Sequence, residues 1–244
     1  MMNWIEPDWP APAKVRALST TRDGGMSEGP YASLNLGSHV GDSLSAVDQN
    51  RALLRNAARL PHEPVWMDQV HGTRVLTLPL ADGESKQADA AFTATAGQVC
   101  TVMTADCLPV LFCSIDGSQV AAAHAGWRGL CDGVLEKTVA RFGVAPARLM
   151  AWMGPAIGPQ VFEVGEEVRE RFIQFNPAAA MAFQPHGDRY LANLYLLARQ
   201  RLLAAGVGAI YGGDYCTYSD PECFFSFRRE SETGRQASLI WIEE

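Results

Sequence analysis

Three short apolar runs in this chain end at or beside a metal-binding side chain, so a fold that uses them together must bring three distant strand ends to one place. They read Pro64-Val-Trp-Met-Asp-Gln-Val-His71, Val99-Cys-Thr-Val-Met-Thr-Ala-Asp-Cys107 and Gln119-Val-Ala-Ala-Ala-His124. A thiolate and two imidazoles suit Zn²⁺, and three protein ligands leave one tetrahedral position for water or substrate, the arrangement of a catalytic rather than a structural zinc. Alone, a cysteine packs as a small apolar residue and a histidine serves as a hydrogen-bonded core group. The combination argues for more, because each has a neighbour suited to an exposed strand end: Gly72, Asp106, and Gly126 with Gly129. The expectation is an enzyme with His71, Cys107 and His124 as metal ligands.

The rest of the pattern is layered. Helical spacing of apolar residues predicts helices over 45–60, 128–142, 163–175 and 188–205, the second carrying Leu130, Val134, Leu135, Val139 and Phe142 on one face. Short runs rich in Val, Ile, Phe, Trp or Cys predict strands at 99–104, 108–113, 119–124, 149–153, 207–211, 223–228 and 237–242. Interleaved helices and strands predict an α/β fold with mixed sheets flanked by helices, and the short 114–118 connection implies an antiparallel hairpin within it. No Gly, Ser or Pro linker divides the 244 residues, which are expected to form one domain, 1–244.

Composition narrows the function classes. A net charge of −7 disfavours a sequence-independent grip on nucleic acid or anionic lipid. Glu6, Asp8 and three prolines interrupt the first twenty residues, and no run approaches a membrane span, so a soluble cytoplasmic protein is expected. The six cysteines sit in apolar patterns and are expected to be reduced thiols.

Around the ligands, Asp106 and Asp89 are candidates to orient an imidazole or carry a proton for metal-bound water. The passage from His124 through Gly126 and Arg128 into a helix is a candidate anion site. Arg228, Arg229 and Arg235 form a second basic group; on a strand, Arg228 and Arg229 would face opposite ways, so at most one enters a pocket. His39 is a weaker candidate, and His62 and His186 belong to loops. Without metal, Cys107 as nucleophile, His124 as base and the Gly126 turn as oxyanion hole would make a cysteine hydrolase. A non-enzymatic zinc-binding module is a third reading.

The segments Ser19-Thr-Thr-Arg-Asp-Gly-Gly25, Ser33-Leu-Asn-Leu-Gly37, Asp68-Gln-Val-His-Gly72, Thr104-Ala-Asp-Cys-Leu-Pro109, His124-Ala-Gly-Trp-Arg-Gly129 and Gly154-Pro-Ala-Ile-Gly158 together closely resemble the YfiH family. Members of that family are described as laccase-domain or polyphenol oxidase proteins, as purine nucleoside phosphorylases with adenosine deaminase activity, and as peptidoglycan editing factors. The resemblance implies an α/β fold like that of YfiH and cytotoxic necrotizing factor, with two mixed sheets between helical layers, and zinc held by the residues matching His71, Cys107 and His124. It also implies phosphorolysis of adenosine, inosine, guanosine and S-methyl-5′-thioadenosine, with deamination of adenosine. Arg22, Asn35 and Gln69, from its first three segments, then join Gly126, Arg128 and Arg228 as candidate contacts to nucleoside or inorganic phosphate. A cysteine hydrolase acting on a peptidoglycan precursor would suit the editing label. Copper competes well for such a ligand set, but coupled copper centres need many imidazoles and this chain has five histidines. Asn193 stands where similar proteins often carry aspartate.

Overall fold

The computed structural model describes residues 2–243, and its layers run helix, sheet, sheet, helix. A four-stranded antiparallel sheet has the order β1 (Trp4–Ile5), β2 (Val15–Thr20), β13 (Gln236–Ile242), β5 (Val99–Thr104). A six-stranded mixed sheet has the order β12 (Ala209–Gly212), β8 (Leu149–Met153), β6 (Leu108–Ser114), β7 (Val120–Ala125), β4 (Ala90–Thr93), β3 (Val75–Leu78). Its two outer pairs are parallel and its inner pairs antiparallel. A small antiparallel sheet, β10 (Phe183–His186), β11 (Arg189–Ala192), β9 (Glu163–Val164), lies apart from both. The α/β class with helix-flanked mixed sheets is therefore correct, but only one of the three sheets is mixed.

Period-two alternation builds the layers. On β13, Leu239 and Trp241 pack with Leu54 of helix α1 (Leu44–Ala57), while Ile240 and Ile242 face the interior between the two large sheets. On β6, Leu111 and Cys113 meet that same interior, and Leu108, Val110 and Phe112 pack beneath the second helical layer. That layer comprises α2 (Trp127–Asp132), α3 (Val134–Val139), α4 (Glu166–Phe175) and α5 (Leu194–Ala204). No helix among the described residues is long and apolar enough to cross a membrane.

Four local expectations need correction. The helix expected over 128–142 is two, because Gly133 adopts φ +97°; both pieces keep their apolar faces on one core, so the apolar spacing runs through the break. The helix expected over 163–175 begins only at Glu166, after β9, and the one expected over 188–205 begins at Leu194, after β11. In the latter, the Asn193 side chain accepts a bond from the Leu196 N–H at 2.9 Å, which caps α5. The strand expected over 223–228 is a loop leading into α6 (Phe227–Glu230), capped by Ser226, whose hydroxyl accepts from the Arg229 N–H. Arg228 and Arg229 are consequently helical neighbours, and the opposite-face argument does not apply to them.

Candidate metal centre

Two of the three ligand positions come directly from the sheets. His124 is near the end of β7 and has the same parity as Val120 and Ala122, so its imidazole lies on the face turned toward the four-stranded sheet. Cys107 sits in the turn by which the chain leaves β5 in one large sheet and enters β6 in the other. His71 arrives on the loop before β3 in the left-handed region, φ +59°. The ligand atoms of His71, Cys107 and His124 all lie within 4.8 Å of one another, with Cys107 Sγ and His71 Nε2 at 3.7 Å. Bonds of about 2.0–2.3 Å from one tetrahedral ion would span such a triangle with little adjustment. Their soft and borderline donors fit zinc, so the residues fit the ion that the sequence suggests.

A non-glycine residue at positive φ is costly and needs holding. At His71 the holder is Asp89, which is fully buried. Its carboxylate accepts the consecutive N–H groups of Val70, His71 and Gly72 at 3.2, 2.8 and 2.7 Å. The same carboxylate meets Nδ1 of His124 at 2.8 Å, which turns Nε2 of that ring toward the other ligands. One buried anion thus positions two candidate ligands. Burial opposes ionisation of Asp89, but the His124 bond and the Gly72 and Val70 N–H groups outweigh it and hold the carboxyl below its ordinary range.

Asp106 is the second strained residue, with φ +100°. Its two carboxylate oxygens accept the Thr217 hydroxyl and the Arg228 backbone N–H, each at 2.7 Å, and its carbonyl accepts the Ile157 N–H. These bonds fasten the turn that presents Cys107; they also leave Asp106 poorly placed to shuttle protons. Burial alone would raise the Cys107 thiol, but His124 and His71 beside it bring it down to about 6. Reciprocally, burial would lower His124, yet the Cys107 thiolate and Asp89 push it up to about 9.

Gly126 is required by space. A β-carbon there would lie 2.8 Å from Cδ2 of His71 and 2.9 Å from Sγ of Cys107, although its backbone angles, φ −59° and ψ 155°, suit any residue. Gly126→Ala should therefore fold normally and bind zinc at least about tenfold more weakly, comparable to losing a ligand's supporting partner; competition with a chromophoric chelator measures this.

The three ligands form one wall of a pocket of about 420 Å³. Trp127, Phe227 and Met103 supply apolar surface, and His39, Gln69, Arg128 and Arg235 supply polar groups; among the described residues no carboxylate lines it. Burial, then the charges of Arg235 and Arg51, keep His39 below the usual imidazole value and hence neutral at pH 7.

The remaining sequence candidates divide by placement. Gln69 lines the pocket, but its amide accepts from and donates to the Met103 backbone at 2.7 and 2.8 Å, tying the His71 loop to β5. Arg22 lies outside, donating to the Ala32 and Pro221 carbonyls and to Glu230. Asn35 is buried outside as well, bonded to Gly37, Asp42 and the Arg235 N–H. Arg228 turns its guanidinium to the Glu163 carbonyl and the Phe162 ring. None of Arg22, Asn35 and Arg228 lines the pocket. His62 and His186 lie away from the pocket, beside Gly97 and Glu163. Phe227 and Met103 were not anticipated, because nothing in an apolar side chain's local sequence marks it as a pocket wall.

Fold and site define a layered α/β protein with a His-Cys-His group that could hold a metal ion, open to a pocket. The chain matches the family described as multi-copper polyphenol oxidoreductase laccase over residues 16–243 and belongs to that family. It is 57% identical to the purine nucleoside phosphorylase YfiH of Escherichia coli (strain K12), covering 99% of this chain and 100% of that one. It is 53% identical to a purine nucleoside phosphorylase of Pseudomonas aeruginosa, covering all of both chains. The crystal structure of a Neisseria meningitidis protein superposes with a TM-score of 0.96 at 49% identity, covering 99% of this chain and 100% of that one.

Proposed function

We propose that this protein is a zinc-dependent purine nucleoside phosphorylase that cleaves adenosine, inosine, guanosine and S-methyl-5′-thioadenosine with inorganic phosphate and also deaminates adenosine. The observation that carries the reading is a His-Cys-His group that could hold a metal ion, facing a pocket with aromatic walls, cationic groups outside any ion pair and, among the described residues, no carboxylate; the names of the relatives supply the substrate class. In phosphorolysis a phosphate oxygen bonds to C1′ as the C1′–N9 bond breaks, the electron pair of that bond passes to the base, and the base gains the proton that hydrogen phosphate gives up in becoming the sugar phosphate. The protein's part is to bind the planar base against Trp127 or Phe227, hold the anion, and exclude water from a cationic ribose. A zinc ion held by His71, Cys107 and His124 would supply Lewis acidity and an activated water, the chemistry that deamination needs.

A second reading has its own observation. Asp89, His124 and Cys107 are arranged as orienting acid, base and thiol, the order of a cysteine hydrolase acting on a peptidoglycan precursor. Metal dependence separates the two. A copper oxidase fares worse, since the described residues gather one group of three metal-ligating side chains, too few for coupled copper centres.

Metal-analysed protein incubated with the nucleoside panel, with and without phosphate, should yield free base and the corresponding pentose 1-phosphate only when phosphate is present. Adenosine should also yield inosine in either case. Chelation should abolish both products. Full activity without metal would favour the thiol nucleophile.

A further inference from the structure

The arginines near the pocket differ in what their N–H groups already hold. Arg22 is engaged as described above, and Arg228, which does not line the pocket, donates through Nη1 alone, to the Glu163 carbonyl. Arg229 donates to the Thr217, Tyr218 and Phe224 carbonyls and to Glu230, and Arg51 places Nε and Nη2 on the Leu36 carbonyl. Arg235 alone of these five lines the pocket of the candidate ligands. Its Nη1 is fixed by the Thr233 and Gly234 carbonyls at 3.0 and 2.9 Å, while Nε and Nη2 have no protein partner among the described residues.

No Asp or Glu among the described residues makes an ion pair with Arg235 or with Arg128. Each stands over an aromatic wall of the pocket, Arg128 over Trp127 at 4.4 Å and Arg235 over Phe227 at 5.9 Å. A chain of net charge −7 therefore has a pocket with two guanidinium groups outside any ion pair and, among the described residues, no carboxylate in its lining. A half-buried cation whose fork is held on one edge by carbonyls and left open on the other is a preorganised site for a tetrahedral oxyanion.

We propose that Arg235, assisted by Arg128, is the subsite for inorganic phosphate beside the metal centre, with Nε and Nη2 of Arg235 as its bidentate contact. The proposal rests on the phosphorylase reading for its choice of anion, and on geometry for its position. It relocates the anion from the Gly126 turn, where α2 is only six residues long, to the opposite end of the sequence. The positive field of Arg235 is also felt by its neighbour, since it contributes to keeping His39 deprotonated.

The test compares zinc-loaded wild type with Arg235→Gln and Arg235→Lys, using titration calorimetry with inorganic phosphate and the separate KM values for phosphate and nucleoside. Arg16→Gln, at an exposed pair with Glu243, is the charge control. Arg235→Gln should weaken phosphate binding and raise the phosphate KM about 10- to 100-fold, the effect of losing a charge-assisted bond. Nucleoside KM and zinc content should stay near wild type. Arg235→Lys should fall between, keeping charge but losing the fork, and it preserves the test if the glutamine variant fails to fold. Unchanged phosphate binding in both variants, or no phosphate binding by wild type, overturns the subsite. Nucleoside cleavage with an unaltered phosphate KM removes the subsite and leaves the phosphorylase reading standing. Arginine-dependent phosphate binding without cleavage of any nucleoside does the reverse.

Discussion

Cys107→Ala should yield a folded protein that no longer retains stoichiometric zinc and whose kcat/KM for nucleosides falls by well over 100-fold. Loss of a partner that merely supports a ligand costs about 10- to 100-fold, and removal of a ligand from a set of three should exceed that. The side chain lies in a turn between two sheets and is partly exposed, so its deletion leaves no large core cavity. Elemental analysis, thermal melting and single-turnover assays on one preparation read the three effects. A variant that keeps its zinc would show that sulfur is not a ligand, and one that keeps zinc but loses turnover would move the thiol to the role of nucleophile.

Asp89→Asn should damage both the centre and the fold. The carboxylate accepts three backbone N–H groups and the His124 ring at zero exposure, and an amide offers one acceptor oxygen while turning an NH₂ toward donors. Breaking a buried charge pair of this kind costs about 3–5 kcal/mol, and zinc affinity should fall a further 10- to 100-fold or thereabouts as the His71 loop and the His124 ring lose their common anchor. Denaturant unfolding of the apo and zinc-loaded forms separates the contributions: the apo difference gives the loss of fold stability, and the extra difference with zinc gives the loss of affinity. An apo protein as stable as wild type would mean that the four contacts contribute little to the loop.

Much of this site was legible in the sequence because strands advertise themselves. Short apolar runs ending in His124 and before Cys107 gave both the elements and the end at which chemistry would gather, and the hairpin at 114–118 is present as β6 and β7. The break at Gly133 was illegible for the same reason that the helix was easy to see, since Leu130, Val134 and Leu135 keep one apolar face across it. At 223–228 two buried phenylalanines imitate a strand, while the Ser226 cap that decides the matter is a single hydroxyl.

Polar residues were harder to read. Motif resemblance marked Arg22, Asn35 and Asp106, but a residue that fastens a loop and a residue that touches substrate look alike in a sequence. Asn35, for example, holds the Arg235 backbone N–H at 2.9 Å and so bears on the pocket without entering it. Asp89 was visible as a candidate; that it serves both histidines follows only from the loop's left-handed geometry at His71, which no local pattern announces.

The proposed chemistry depends on one coordination shell, and X-ray absorption at the zinc edge of the freshly loaded protein examines it directly. It should show one sulfur at about 2.3 Å, two imidazole nitrogens at about 2.0–2.1 Å, and one further light atom that exchanges with solvent or added ligand. A shell without sulfur, or one closed by a fourth protein ligand, would contradict it.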